Sequence, residues 1–302
     1  MKKLYFVFTV LLLACSCKTL APSGDTEIAG GDYFRLASVV MQETDKSPCA
    51  LFTSPVYTAD SRTGNALLES FYDTPNKRTV RFMYALPLFV YVYNDEVAKC
   101  RIKLNADGLV SDISINGIND FDAESYYYEY DEFSRLKKKT YRDSYGYSEC
   151  YNFTYSEVGN ISHIKGDYQY NIKGDYQYNH HEEWEYSVEY ADIPAKTAPL
   201  QFLVGDMFEF EEIFEPNEWV LMEAGLLGNT FPHLLIQSLT GTDLDNDFMS
   251  LFSYKLDKNG YVSEMTAVTS ASDDTNPEVV TCNFTWEKSS VPSFVQWHLS
   301  EK

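Results

Sequence analysis

Along much of the chain, large apolar or aromatic side chains alternate with polar ones, the period of a strand with one face in a core. Tyr126-Tyr127-Tyr128-Glu129-Tyr130, Tyr151-Asn152-Phe153-Thr154-Tyr155 and Trp184-Glu185-Tyr186-Ser187-Val188-Glu189-Tyr190 are examples. The longest such run goes from Ile164 to Tyr190 and keeps Ile164, Tyr168, Tyr170, Ile172, Tyr176, Tyr178, Trp184, Tyr186, Val188 and Tyr190 on even positions. Fully extended it would stretch roughly 90 Å, too long for one strand, so a turn is expected inside it, at Lys-Gly-Asp or at Asn179-His180-His181. The same run contains the octapeptide IKGDYQYN twice in succession, residues 164–179. An even insertion leaves every side chain on its own face, so the second copy reads as a duplication that lengthened a hairpin. On that reading an odd-numbered deletion there would turn Trp184, Tyr186, Val188 and Tyr190 toward water.

Four segments carry a common turn pattern: Leu104-Asn105-Ala106-Asp107-Gly108-Leu109-Val110, Tyr130 to Leu136, Tyr155 to Ile161, and Leu256 to Val262. Each has a large residue, then Asn105, Asp131, Ser156 or Asp257, then Gly108, Ser134, Gly159 or Gly260 three positions on, then an aliphatic residue. Asn, Asp or Ser at the first position of a type I turn bonds the following backbone, and glycine at the fourth accepts the left-handed conformation of a G1 bulge. The flanking residues then face each other: Leu104 and Val110, Tyr130 and Leu136, Tyr155 and Ile161, Leu256 and Val262. Such cross-strand pairs contribute roughly 0.2 to 1 kcal/mol each. From Leu200 to Leu235 the spacing of apolar residues becomes helical, with Pro199, Pro216 and Pro232 as punctuation. One or two short helices are expected, about 206–214 and 218–227, covering an end of the sheet. The fold class expected is all-β and mainly antiparallel, a curved or rolled meander of repeated hairpins.

The N-terminus changes the address. Lys2 and Lys3, an apolar run from Leu4 to Ala14 and then cysteine follow the order of a secretory leader, and the run is too short to span a bilayer. Leu12-Leu13-Ala14-Cys15 resembles a bacterial lipobox, in which the cysteine is acylated. Cys15 is the expected lipidation site, with Cys17 as the alternative. Residues 1–17 then form the leader and lipobox, 18–32 a small, polar tether, and 33–302 a single repeat-built β domain. Acyl chains are the expected membrane partner. Ser16, Lys18 and Thr19 are not acidic, and the sequence leaves open whether the outer-membrane protein faces the periplasm or the cell surface.

Formal charge is −21, and loss of Lys2 and Lys3 with the leader makes it −23. Such a surface repels phosphate backbones, so no nucleic-acid partner is expected. An oxidising envelope permits disulfides, Cys150 to Cys282 or Cys100 to Cys150, against free buried thiols for Cys49, Cys100, Cys150 and Cys282. His181, Glu183 and Glu185 would share a strand face and are weak metal candidates. Asp243, Asp245 and Asp247 are a second weak set, since Phe248 and Tyr254 stand where a calcium loop needs glycine and glutamate. No metal, cofactor or catalytic residue is assigned, because no nucleophile elbow, phosphate-binding loop or zinc-protease motif occurs.

The segments YYYEYDEFSRL and YNFTYSEVGNI resemble the tyrosine-aspartate repeats of bacterial cell-surface proteins. With the lipobox, AGLLGNTFPHLL (224–235) and FSYKLDKNGYVSEM (252–265), the chain also resembles, over about 65–290, gut-anaerobe lipoproteins of unknown function with a porin-like fold. That resemblance implies a rolled β-sheet and no reaction. The function expected is therefore a lipid-anchored, non-enzymatic envelope protein, a structural or binding module whose partner is a glycan or an envelope protein. An aromatic content of 16% suits sugar stacking, and Tyr127 and Phe133, off the paired face, are the rings expected outside. A carrier of an apolar ligand inside a hollow sheet is the alternative, and a glycan-active hydrolase with a carboxylate pair the third.

Overall fold

The computed structural model describes residues 33–295 except 44–46, 60–65, 74–76, 86–88, 95–96, 116–122, 172–178, 204–215, 243–246, 272–276, 291 and 294. The strands are β1 (Tyr33–Glu43), β2 (Cys49–Ala59), β3 (Ala66–Asp73), β4 (Arg78–Ala85), β5 (Phe89–Asn94), β6 (Val97–Leu104), β7 (Val110–Ile115) and β8 (Glu124–Tyr130). They continue as β9 (Leu136–Asp143), β10 (Tyr147–Tyr155), β11 (Ile161–Asn171), β12 (Asn179–Pro194), β13 (Leu234–Thr242), β14 (Asp247–Leu256), β15 (Val262–Ala271) and β16 (Glu278–Ser289). Two helices, α1 (Leu200–Leu203) and α2 (Pro216–Glu223), lie between β12 and β13. The fold is all-β. Each strand pairs antiparallel with the next, and β1 pairs with β16 from Tyr33 opposite Ser289 to Glu43 opposite Val280, so the meander closes into a barrel. Closure leaves no sheet edge for another chain to extend.

The inward face of the wall is apolar. Along β12, Trp184, Tyr186 and Val188 are buried while His181, Glu183, Glu185, Ser187 and Glu189 are exposed. β14 buries Phe248, Ser250 and Phe252, and β16 buries Val280, Cys282 and Phe284, each alternating with exposed or half-buried neighbours. The outward run from His181 to Glu189 covers roughly 27 Å at strand rise, about the height of the apolar belt of a membrane-spanning barrel, and it is polar throughout. Along β12 the polarity is thus inside out relative to such a barrel, although β14 turns Met249 and Leu251 outward. Because Cys100 and Cys282 face inward and Cys150 lies between inward-facing Tyr151 and the outer wall, neither proposed bridge is available, and all four described cysteines are free thiols.

Every connection from an even strand to the following odd one lies at one end. The four short turns at this end are closed alike: Gly108 N–H donates to Asn105 O, Ser134 N–H to Asp131 O, Gly159 N–H to Ser156 O and Gly260 N–H to Asp257 O, at 2.9 to 3.1 Å. Gly108, Ser134, Gly159 and Gly260 all have positive φ, between +60° and +88°. Leu104 stands opposite Val110, Tyr130 opposite Leu136, Tyr155 opposite Ile161 and Leu256 opposite Val262. At the other end β11 and β12 meet with Asn171 opposite Asn179. The first octapeptide therefore lies in β11. Of the second copy only Asn179, the first residue of β12, is described; 172–178, including Lys173-Gly174-Asp175, fall outside the described residues. Gly166 of the first copy lets the Trp184 indole lie flat across β11, since an added Cβ would sit 2.1 Å from Trp184 Nε1.

Candidate functional site at the plugged end

Among the described connections, that from β12 to β13 departs from the hairpin plan, and its residues 216–231 lie in the barrel core. Its helix α2 buries Trp219, Val220, Leu221 and Met222 in succession, at 0 to 3% exposure, so this central turn is enclosed on every side. Leu226, Leu227 and Phe231 follow it into the core. Pro216 suits the first helical turn, and the helix stops in a Schellman arrangement in which Leu226 N–H donates to Leu221 O and Gly225 N–H to Met222 O, with Gly225 at φ +74°. The expected helix at 218–227 is thus shorter and set inside the wall instead of across its end, while 206–214 lies outside the described residues. The apolar run Trp219-Val220-Leu221-Met222 goes right round the helix and marks no preferred face, which is why spacing alone did not separate covering from insertion.

The plug is held by the hairpin turns. Val110 N–H donates to Leu226 O, Asn229 N–H to Ser134 O, and Leu136 N–H to Thr230 Oγ1. His233 N–H donates to Asn160 Oδ1, and Lys196 Nζ to Asn259 O at 2.5 Å. Gly228 packs so closely that a Cβ there would lie 2.1 Å from the Ser134 carbonyl oxygen. Beneath this layer a ring of side chains ties six of the even strands, β2, β8, β10, β12, β14 and β16, each to the odd strand before it. Tyr57 Oη donates to Leu36 O, Tyr130 to Val110 O, Tyr155 to Leu136 O and Tyr190 to Ile161 O at 2.7 to 2.9 Å, Tyr254 to Ile236 O, and Trp286 Nε1 to Val262 O at 2.7 Å. The tyrosine of the Tyr-Asp and Tyr-Ser dipeptides thus fills two roles, packing across its own hairpin and bonding to the preceding one. Burial raises the phenols of Tyr130, Tyr155, Tyr190 and Tyr254, so they remain protonated donors.

Two carboxyl groups on α2 address different parts of the wall. Glu218, 2% exposed, accepts from Lys139 Nζ at 2.8 Å and from Tyr128 Oη at 2.7 Å. Lys139, 1% exposed, also lies 5.1 Å from the Tyr126 ring centre and 5.9 Å from that of Tyr151. Glu223, five residues on, faces β1 and β16. It accepts from Ala198 N–H at 2.5 Å and from Ser293, and burial raises its carboxyl to about 7. Its partly exposed side lines a cavity of about 30 Å³ together with Arg35, Tyr57, Trp219, Trp286 and Ser293. Sequence reading missed both groups. The one local signal was a lysine, Lys139, at an inward position opposite Tyr128.

The sites expected from sequence stand elsewhere. His181, Glu183 and Glu185 lie on the outer wall, where Glu183 pairs with Lys165 at 2.8 Å and Glu185 lies 3.8 Å from His163. The hydrogen bond and charge of Lys165 hold the Glu183 carboxyl below its ordinary value. Asp247 is exposed at the start of β14, and Asp243 and Asp245 lie outside the described residues. Among the described residues no three metal-ligating side chains converge. Asp131 is a structural turn residue: burial opposes it, but bonds from Arg135 and Phe133 hold its carboxyl low. Tyr127 and Phe133 are 42% and 61% exposed, with the Arg142 and Arg135 guanidinium groups 5.5 and 4.9 Å from their ring centres.

No protein-family model matches the sequence, and no curated protein matches it. Among solved structures the chain is similar to a porin-like protein from Bacteroides uniformis ATCC 8492, with a TM-score of 0.54 and 16% identity over 83% of this chain and 96% of the other. It is similar also to a porin-like protein from Bacteroides vulgatus ATCC 8482, with a TM-score of 0.54 and 9% identity over 83% and 98%. At these identities the likeness concerns the fold.

Proposed function

We propose that the protein is a lipid-anchored envelope module, a β-barrel held to the outer membrane by acyl chains on Cys15, or on Cys17, and lying outside the bilayer. The observation that carries this reading is the polarity of the wall, polar along the outer run of β12 and mainly apolar inside, with α2 in the interior. A membrane-spanning pore needs the opposite. A carrier needs an empty interior, where this one holds Trp219, Leu221, Met222 and Leu227. A hydrolase would need two carboxyl groups flanking one substrate, and Glu218 is committed to Lys139 while Glu223 faces another part of the wall. Residues 1–17 serve as the leader and 18–32 as the tether. The outer ring of Tyr127 is the favoured glycan-stacking position, and the kinship to tyrosine-aspartate repeats rests on the turns after Tyr130 and Tyr155.

Detergent phase partition tests the anchor. The full chain made in a lipoprotein-processing host should enter the detergent phase. The chain beginning at Lys18 should stay in the aqueous phase with an unchanged β spectrum. Partition of both into detergent would mean that the wall itself meets lipid, and the reading would fail.

A further inference from the structure

The cavity beside Glu223 is small, asymmetric in charge and walled by aromatic rings. Its carboxyl has no cation among the described residues as a partner, whereas the guanidinium at the same pocket, Arg35, is already 2.7 Å from Glu287 and 4.9 Å from the Tyr57 ring centre. The other groups of charge or titration nearby are also committed. Tyr261, whose phenol is pushed up to about 12 by burial, bonds the Phe34 N–H, and Lys196 lies 5.0 Å from the Tyr261 ring centre while donating to Asn259 O. The indole N–H groups of Trp219 and Trp286 donate to Ala198 O and Val262 O, and Trp286 also packs on Tyr261 with ring centres 5.1 Å apart, so what these indoles offer a ligand is the ring surface that lines the pocket. A space of about 30 Å³ admits one or two water-sized groups.

We infer that this pocket binds the head of a primary ammonium ligand, with Glu223 as its counter-ion and Trp219, Trp286 and Tyr57 as its aromatic wall. An ammonium is the size of a water, is attracted by ring faces within about 6 Å, and supplies the positive charge the carboxyl lacks. An anion would meet Glu223, and a neutral alcohol would leave its charge uncompensated. Bound cation favours the ionised carboxylate, so binding releases a proton from Glu223 and strengthens as pH rises through about 7. The site is independent of acylation and would bind whether or not the envelope reading holds.

The test is a tryptophan-fluorescence titration of the full chain with n-butylamine at pH 6 and pH 8, with n-butanol and butyrate as neutral and anionic controls. The amine is ionised at both values, so only the protein titrates. Expected are saturable quenching by the amine alone and affinity about tenfold higher at pH 8, the ratio set by a carboxyl that titrates near 7. Glu223→Gln should abolish both the binding and its pH dependence. Equal binding of butanol, affinity that does not change with pH, or no saturation up to 100 mM would each overturn the site, and these readings need only the parent protein. Titration with phosphoethanolamine, glucosamine and Nα-acetyl-lysine then ranks a lipid head, an amino sugar and a peptide side chain as the source of the ammonium.

Discussion

Ser134 holds φ at +60° where the other three turns of its kind hold glycine. A side chain in that conformation costs roughly 1 kcal/mol, so Ser134→Gly should raise stability by up to about that amount. Gly108→Ala should lower it by a similar amount, since an added Cβ there meets nothing within 4 Å. Gly228→Ala should cost about 1 to 3 kcal/mol more, because its Cβ would press on the Ser134 carbonyl and the plug would have to shift. Urea melts of the three variants decide it, and equal losses at Gly108 and Gly228 would refute the close seat of the plug. Glu223 gives a pH signature. Its carboxyl sits at about 7 against an ordinary 4.5, so its protonated form favours the fold. That contribution is complete below about 4.5 and fades as pH rises through 7. Between pH 5 and 8 the parent should lose melting temperature relative to Glu223→Gln, and parallel curves would contradict the shift. The turn residues were legible because their chemistry is local. Glu223, Arg35 and Trp286 come from distant parts of the chain, and nothing short in the sequence joins them.

At the scale of elements, the hairpins were readable from period-two alternation, and the helix was readable as an element but not in its burial within the barrel. The octapeptide shows where alternation stops being informative. Parity matters for a cut inside a strand, but the second copy, Asn179 apart, lies between the ends of β11 and β12, where the connection takes up the difference. Deleting 172–179 leaves Tyr170-Asn171-His180 as a three-residue connection with Gln169 still opposite His181, and deleting 173–179 leaves a four-residue one. Both deletions should fold, with melting temperatures within a few degrees of each other; collapse of the seven-residue deletion alone would restore the strand reading. The Lys139–Glu218 pair fixes α2 against β8 and β9. Lys139→Met strands a buried anion and should cost about 3 to 5 kcal/mol, while adding Glu218→Gln should recover most of it. Chemical denaturation of the single and double variants measures the difference, and no recovery in the double would show that the pair is not coupled.

For the whole molecule, a barrel with an occupied axis should pass no ions. In planar lipid bilayers the purified protein should give no stepwise conductance, and stable current steps would show that the interior opens. The closed meander was foreshadowed by the sequence as a rolled sheet, but closure depends on β1 and β2, which precede the stretch carrying the family resemblance. Tyr33 stands opposite Ser289, so the first and last strands share a seam and start and end on the same side. This arrangement has a mechanical consequence. Pulling the two ends of that seam apart would open it like a zip, one cross-strand pair after another, and would need little force. A load applied at Tyr33 along the axis of β1 would instead strain its ladder bonds together. The β1–β16 seam thus resists tension directed along β1 better than tension that pulls Tyr33 away from Ser289.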